Sequence, residues 1–394
     1  QRISNPQVPQ TRLEKLTADN AAFALDLYSE VAKKEEGKNF FYSPHSISSA
    51  LAMTYAGMEG SSETQTKQAL HFGLPENELH PAFNKLDLEL EKRATQASSN
   101  KKGSPFKLEV ANSIWGQQGY PFKQPFLDTL AKNYGAGLRA VNFADKPDVA
   151  RKAINDWVEK KTEDRIKDLL PKPAVTPATR LVLTNAIYFK ASWANKFDEN
   201  QTTKAPFTTG GGQQVQVDMM SQQARNGLSY AKGSNWQAVE MPYVGDKVSM
   251  VVLVPDEGAL GTIEQKLSGS WLKQVFGQLS GEALKLKLPK FEFESKFSVK
   301  KMLTALGMED PFMPGKADLS DIADRGLFID DVIHQSFVAV DEKGTEAAAA
   351  TAVTVGETSV PQFTELTVDR PFLFMIRDRE TDAVVFLGRV LDPS

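Results

Sequence analysis

The stretch DEKGTEAAAATAVTVGETSVPQF, residues 341–363, joins an acidic turn to a run of small and β-branched side chains. Two readings of it compete. Alanine has the highest helix propensity, by about a few tenths of a kcal/mol per residue, so the four alanines at 347–350 support a surface helix that runs into a loop. Read as a strand, whose side chains alternate between faces, the segment puts Thr345, Ala347, Ala349, Thr351, Val353 and Val355 on one side. Glu346, Ala348, Ala350, Ala352, Thr354 and Gly356 fall on the other. The first face is small and uncharged, and the second carries its one charge at Glu346. Proline, which would remove a ladder donor, is absent before Pro361. The segment is therefore able to lie exposed and also able to become a central strand, and taken alone it leaves helix and strand level.

The bulk numbers narrow the field. A chain of 394 residues with 41% hydrophobic and 24% charged residues has the composition of a folded globular protein, and its length alone suggests two or three domains. A net charge of −4 excludes a broad electrostatic footprint for nucleic acid. The absence of cysteine removes disulfides, thiol nucleophiles and thiolate metal sites. No apolar run approaches the roughly 18 residues that a membrane-spanning helix needs. Residues 1–16, QRISNPQVPQTRLEKL, lack a charged-then-apolar signal pattern and read as a polar tail, the start of either a mature or a cytosolic chain. Asn200-Gln201-Thr202 is a glycosylation sequon of a kind expected by chance in a chain this long.

Helical periodicity dominates the first half. Ala21, Phe23, Ala24, Leu27, Tyr28 and Val31 recur at helical spacing before Gly37. FFYSPHSISSALAMTYAG predicts a short strand and a buried helix over about 47–57, and Ser62 with Gln65 predicts a capping box at the next helix start. Ala153, Ile154, Trp157, Val158 and Ile166 share one face of a later amphipathic helix. After Thr176 strands take over. TRLVLTNAIYFKASW is apolar and β-branched enough for a buried central strand, and QAVEMPYVGDKVSMVVLVPDEG predicts two strands joined near Gly245-Asp246. LKLKLPKFEFESKF alternates, but its parity flips across Pro289-Lys290, which predicts a bulge or bend. No Gly-, Ser- or Pro-rich linker divides the halves, so the pattern favours one large α+β domain over the several that length suggests.

The usual catalytic inventory is missing. His45, His71, His80 and His334 do not pair at metal-ligand spacing. There is no G-x-S-x-G elbow, Walker loop or dinucleotide fingerprint, and TTGGGQQ at 208–214 reads as a turn. The expectation is a protein that is not an enzyme and that uses no metal or cofactor.

Several motifs in register then point one way. VDEKGTEAAAATA, LTVDRPFLFMI (366–376), FYSPHSIS, LTNAIYFKASW, MPY and KLPKF resemble, in order and spacing, the signature segments of the serpin family, and the resemblance runs from about Thr17 to Pro393. It implies a single α+β serpin domain with a large central mixed β-sheet, smaller β-sheets, about nine helices and an exposed reactive-centre loop. Within residues 342–367 the family's hinge corresponds to Glu342, Gly344, Thr345, Glu346, Ala347, Ala348, Ala349 and Ala350. The implied function is inhibition of a serine protease by a suicide-substrate reaction. The protease's serine acylates the loop, and the freed upstream half inserts as a strand of the central sheet. About 14 residues at roughly 3.4 Å each then carry the tethered protease nearly 50 Å, to the far end of the sheet. A charge or proline on the inward face would stall that insertion and leave a mere substrate.

Loop-length counting from Glu342 places the scissile bond between Thr358 and Ser359, and a hinge one residue shorter would place it between Glu357 and Thr358. Threonine before the cut suits a small apolar primary pocket, hence an elastase-like target. Glutamate would call for a basic pocket, and Val353 or Val355 would serve elastases through a displaced cut. The resemblance further implies a sheet-opening cluster of Ser43, Ser46, Asn185 and His334, whose hydrogen bonds hold the closed sheet and re-form after opening. It also implies that the loop first enters the sheet at Trp193, Lys290 and Glu342, the last two as an exposed ion pair worth about 0–1 kcal/mol. FNKLDLELEKRATQ mixes Lys85, Lys92 and Arg93 with Asp87, Glu89 and Glu91, and Lys101 and Lys102 follow. That face predicts no strong heparin binding. The expected partner is a target serine protease in a covalent 1:1 complex with a monomeric, secreted or cell-envelope inhibitor. The competing expectations are a non-inhibitory carrier or chaperone of the same family, and an inhibitor of cysteine proteases.

Overall fold

The computed structural model describes residues 1–99, 107–135, 137–324, 326–345 and 362–394. Its helices are α1 (Gln10–Lys34), α2 (Pro44–Tyr55), α3 (Gly60–Ala69), α4 (Glu76–Ser99), α5 (Gln124–Asn133), α6 (Pro147–Lys161), α7 (Leu260–Lys266), α8 (Gly269–Gln278) and α9 (Lys300–Ala305). The strands are β1 (Phe40–Tyr42), β2 (Lys107–Gln117), β3 (Arg139–Val141), β4 (Leu181–Ser192), β5 (Thr203–Thr208), β6 (Gln214–Ala224), β7 (Ser229–Gly233), β8 (Trp236–Pro242) and β9 (Val248–Pro255). They continue as β10 (Ser280–Gly281), β11 (Leu284–Pro289), β12 (Phe291–Ser298), β13 (Val332–Val340), β14 (Gly344–Thr345), β15 (Thr364–Thr367), β16 (Phe372–Asp378) and β17 (Val384–Val390).

Among the described residues these strands form three sheets. A seven-stranded sheet runs β1-β17-β16-β9-β8-β7-β10, a four-stranded sheet β15-β11-β6-β5, and the six-stranded central sheet β12-β13-β14-β4-β2-β3. Strands β9, β16 and β17 are buried along their whole length, as expected of strands covered on both faces. The central sheet is mixed: β4 and β13 run parallel, while β2 and β12 flank them antiparallel. Its odd-numbered β4 side chains Leu181, Leu183, Ile187, Phe189 and Ala191 join the main core. The even-numbered Val182 and Ala186 face α6 through Ile154, Trp157 and Val158.

Four local expectations are corrected. The polar tail ends at Pro9 rather than at residue 16, because α1 begins at Gln10 and buries Leu13 and Leu16. What remains is pinned: the Ile3 amide donates to the Lys132 carbonyl, and the Arg2 guanidinium holds Asn84 and Glu91. The capping box does not form. The α3 N-cap is Glu59, Ser62 Oγ accepts from the Asp318 amide, and Gln65 Oε1 accepts from the Glu309 and Asp310 amides, so tertiary partners claim both side chains. Ala153 lies on the exposed side of α6. The parity flip at Pro289-Lys290 is more than a bend, since β11 and β12 belong to different sheets.

The span expected as loop, 342–367, is also shorter than read. Gly344–Thr345 is already a strand, and Thr364–Thr367 pairs in parallel with β11. Glu346, Ala347, Ala348, Ala349, Ala350, Glu357, Thr358 and Ser359 lie outside the described residues.

Candidate functional site: a partly opened central sheet

Strands β4 and β13 pair directly from Leu183 opposite Val332 to Tyr188 opposite Phe337. Above that they part, and β14 fills the gap. Thr345 lies opposite Ala191 of β4 and Val340 of β13, and Gly344 opposite Ser192. Glycine is required here by close approach: a Cβ at 344 would stand 2.0 Å from the Ala191 carbonyl oxygen. Thr345 is 1% exposed and points into the core side, where its hydroxyl meets the Tyr243 hydroxyl at 2.8 Å. Burial pushes the Tyr243 phenol up, so it stays neutral.

The turn that delivers β14 is held from several sides. Asp341 Oδ1 accepts from the Lys343 and Gly344 amides, and the Asp341 amide donates to the Gly344 carbonyl. Trp193, stacked on Tyr243 with centroids 4.6 Å apart, donates its indole N–H to the Asp341 carbonyl at 2.9 Å. The Trp193 and Phe197 amides donate to the Lys343 and Glu342 carbonyls. Glu342 accepts from Lys290 Nζ at 2.8 Å and from the Thr202 hydroxyl at 2.5 Å. Burial alone would raise its carboxyl, but these two donors outweigh it and hold the group below the usual carboxylate range. The pair expected to be exposed is only half so: the Lys290 side chain is 39% exposed and that of Glu342 is 6%.

Lower in the sheet, the four cluster residues come together where β4 and β13 still touch. His334 lies opposite Asn185. The Ser43 amide donates to His334 Nε2 at 3.2 Å, which places the ring proton on Nδ1, bonded to Asn185 Oδ1. Burial depresses the His334 pKa to about 3, so the ring is neutral. Ser43 is the N-cap of α2: its hydroxyl accepts from the Ser46 amide at 3.1 Å and donates to the Val385 carbonyl at 2.7 Å. Asn185 Nδ2 donates to Ser46 Oγ and to Asn112 Oδ1, at 2.9 and 2.8 Å. Asn112, on β2, also accepts from the Ser46 hydroxyl and donates to the Ser46 carbonyl. The network thus ties three strands to the helix beneath them.

Three of these participants escaped sequence reasoning. Asn112 is a side-chain amide on β2 directly opposite Asn185, and the matching ANS and TNA triplets were its one available signal. Tyr243 sat inside the MPY motif, and Thr202 inside the sequon. On α4, Lys85 pairs with Glu89, and the buried Arg93 pairs with Glu89, Asp378 and Glu380. Lys101 and Lys102 lie outside the described residues. No cluster of three or more metal-ligating residues and no helix long and apolar enough to cross a membrane occurs among the described residues.

Comparison with known proteins agrees with this geometry. The family model described as "Serpin (serine protease inhibitor)" matches residues 18–393. The human leukocyte elastase inhibitor is 37% identical, over 97% of this chain and 100% of its own length. An uncharacterized serpin-like protein of Methanosarcina acetivorans is 36% identical, over 96% of this chain and 88% of its own. Among solved structures, the thermophilic serpin tengpin in its native state superposes with a TM-score of 0.86 at 28% identity, over 100% of this chain and 97% of that one. With its motifs in register, its three sheets and a match across nearly its full length, the chain belongs to the serpin family of serine protease inhibitors.

Proposed function

We propose that this protein inhibits a serine protease once and irreversibly: the target cuts the reactive-centre loop, remains bound as an acyl-enzyme and is carried down the central sheet as the loop inserts. The observation that carries the reading is β14. Gly344–Thr345 already occupies the first rung between β4 and β13, and both neighbours fix its register.

Continuing the pairing on the β4 edge, each residue further along the loop meets one residue further back along β4. Residue 351 then comes opposite Asn185. On the β13 edge the same residue comes opposite His334. The two edges agree, because Asn185 and His334 are themselves partners in the closed sheet. Insertion would therefore replace the His334–Asn185 contact with Thr351, whose hydroxyl can donate and accept. Odd-numbered loop residues would face the core with Thr345, which is the small, uncharged face read from the sequence. An inserted strand gains ladder bonds on both edges, more than the six-residue pairing of β4 and β13 gives up. This placement supports a sheet-opening role for Ser43, Ser46, Asn185 and His334 and a first-entry role for Trp193, Lys290 and Glu342.

Thr358 as the residue before the cut, and the leukocyte elastase inhibitors among the relatives, both support an elastase-like target. The pairing of Lys85 and Arg93 on α4 with acidic side chains supports action without sulfated-polysaccharide activation. Incubation with pancreatic or neutrophil elastase is expected to give a 1:1 complex that survives boiling in detergent, with the cut between Thr358 and Ser359 identified by mass spectrometry. Recovery of cleaved monomer alone would overturn the inhibitory reading.

A further inference from the structure

The residues that follow α6, TEDRIKDLL at 162–170, lie as a strap across the outer face of the central sheet. Ile166 and Leu169 are fully buried in it, packed with Ala111 of β2 and Ala186 of β4. At its end the Leu170 amide donates to Asn155 Oδ1, which ties the strap back to α6. Its polar groups reach four strands in turn. Glu163 pairs with Lys107 of β2. The Arg165 guanidinium donates to the Tyr188 hydroxyl of β4 and lies over the Phe337 ring of β13, 5.4 Å from the ring centroid. The Asp168 carbonyl accepts from Lys296 of β12 at 2.6 Å. To follow this course Glu163, Asp164 and Asp168 take left-handed backbone angles, with φ of 50°, 63° and 49°. Side chains other than glycine hold such angles only where their surroundings impose them, and such residues cluster at switching segments.

The position of Arg165 gives the strap a purpose. Tyr188 and Phe337 are direct partners, the last pair beneath the point where β14 separates β4 from β13. We propose that Arg165 is a staple across this seam, holding β4 to β13 in the uncut protein until the next residue of the loop forces them apart. The staple itself is read from the closed sheet; its part in loop entry rests on the insertion proposed above.

Paired strands lie about 4.8 Å apart, and a strand between them doubles the gap to about 10 Å. One side chain then cannot keep both contacts, so Arg165 must release either the phenol or the ring. Arginine suits the place because its planar guanidinium can stack on an aromatic face and donate from its edge at once. The Glu163–Lys107 pair lies to one side of the seam, since β2 stays paired with β4 over ten residues. Breaking that pair loosens the strap without touching the staple, which makes Lys107 the control.

Deuterium exchange of the amides that bond across the β4–β13 seam is measured in the uncut, full-length parent, Arg165→Ala and Lys107→Gln chains. Arg165→Ala is expected to speed exchange at the seam roughly tenfold and to leave the β8–β9 ladder unchanged. Lys107→Gln should match the parent. In a Phe337→Leu background Arg165→Ala should add nothing further, because the ring it acts through is already gone. The limiting rate of elastase trapping at saturating inhibitor should rise with the seam exchange. Unchanged seam exchange in Arg165→Ala overturns the staple, as does equal acceleration in Lys107→Gln or a full additional effect in the Phe337→Leu background. Faster exchange with an unchanged trapping rate overturns the part assigned to Arg165 in loop entry. A parent that yields only cleaved monomer overturns the inhibitory reading instead, and the exchange comparison still decides the staple.

Discussion

Thr345→Arg tests the insertion step at its first rung. Thr345 is 1% exposed, sits between β4 and β13 and shares a hydrogen bond with Tyr243. An arginine there has two options. In the uncut protein it can swing outward, at the loss of a two-residue strand and one side-chain hydrogen bond, about 1–2 kcal/mol. In a protein of this size that moves the melting temperature by only about a couple of degrees. During insertion that escape is closed, because residue 345 must lie on the core side beside Tyr243 before any later residue can follow. An unpaired cation buried against aromatic walls costs about 3–5 kcal/mol. At 1.4 kcal/mol per factor of ten, insertion slows roughly 10²- to 10⁴-fold. Hydrolysis of the acyl bond is not slowed and takes over. The assay is a titration of elastase with the variant, reading residual activity together with the ratio of covalent complex to cleaved monomer on a denaturing gel. Cleaved monomer should replace the complex almost entirely, while Thr345→Ser, which keeps the hydroxyl, should retain it. A Thr345→Arg chain that traps elastase as well as the parent does would refute the reasoning.

Other outcomes follow from the same geometry. The depressed His334 pKa, about 3 against 6.5 when exposed, means the unfolded chain binds a proton in that window and the folded one does not. Its contribution is fully present above about pH 6.5 and falls by as much as about 1.4 kcal/mol per unit as pH drops toward 3. Urea unfolding across that range should show a steeper loss in the parent than in His334→Gln, and equal slopes would contradict it. Asn112→Ala removes three hydrogen bonds of the cluster and should lower unfolding free energy by about 1–3 kcal/mol; no change in urea midpoint would argue that water replaces them. Lys290→Gln should cost under about 1 kcal/mol globally yet speed amide exchange at Trp193 and Phe197, whose amides bond the Lys343 and Glu342 carbonyls. Unaltered exchange there would separate the ion pair from the hinge.

What could be read from the chain depended on how local its cause was. The central strand β4 was legible because most of its twelve residues are apolar or β-branched and such a run has few other uses, and the β8–β9 turn because Gly245 and Asp246 supply the positive φ it needs. The boundaries set by distant partners were not. Ser62 and Gln65 have the spacing of a capping box, but amides far along the chain recruit them. Helix α1 starts six residues before the tail was expected to end because Leu13 and Leu16 find a core that the sequence does not display. Gly344 was legible as a hinge residue through its motif, but its place as a rung of the sheet shows only in the Ala191 carbonyl against its missing Cβ. The cluster was legible in the four residues that carried motifs and not in Asn112, whose role exists only once β2 lies against β4.

Amide exchange on residues 346–355, before and after the loop is cut by elastase, bears most directly on whether cleavage adds a strand. Insertion requires these amides to exchange rapidly in the intact protein and to become protected, to the level of β4, in the cut one. Rapid exchange in both states would contradict it.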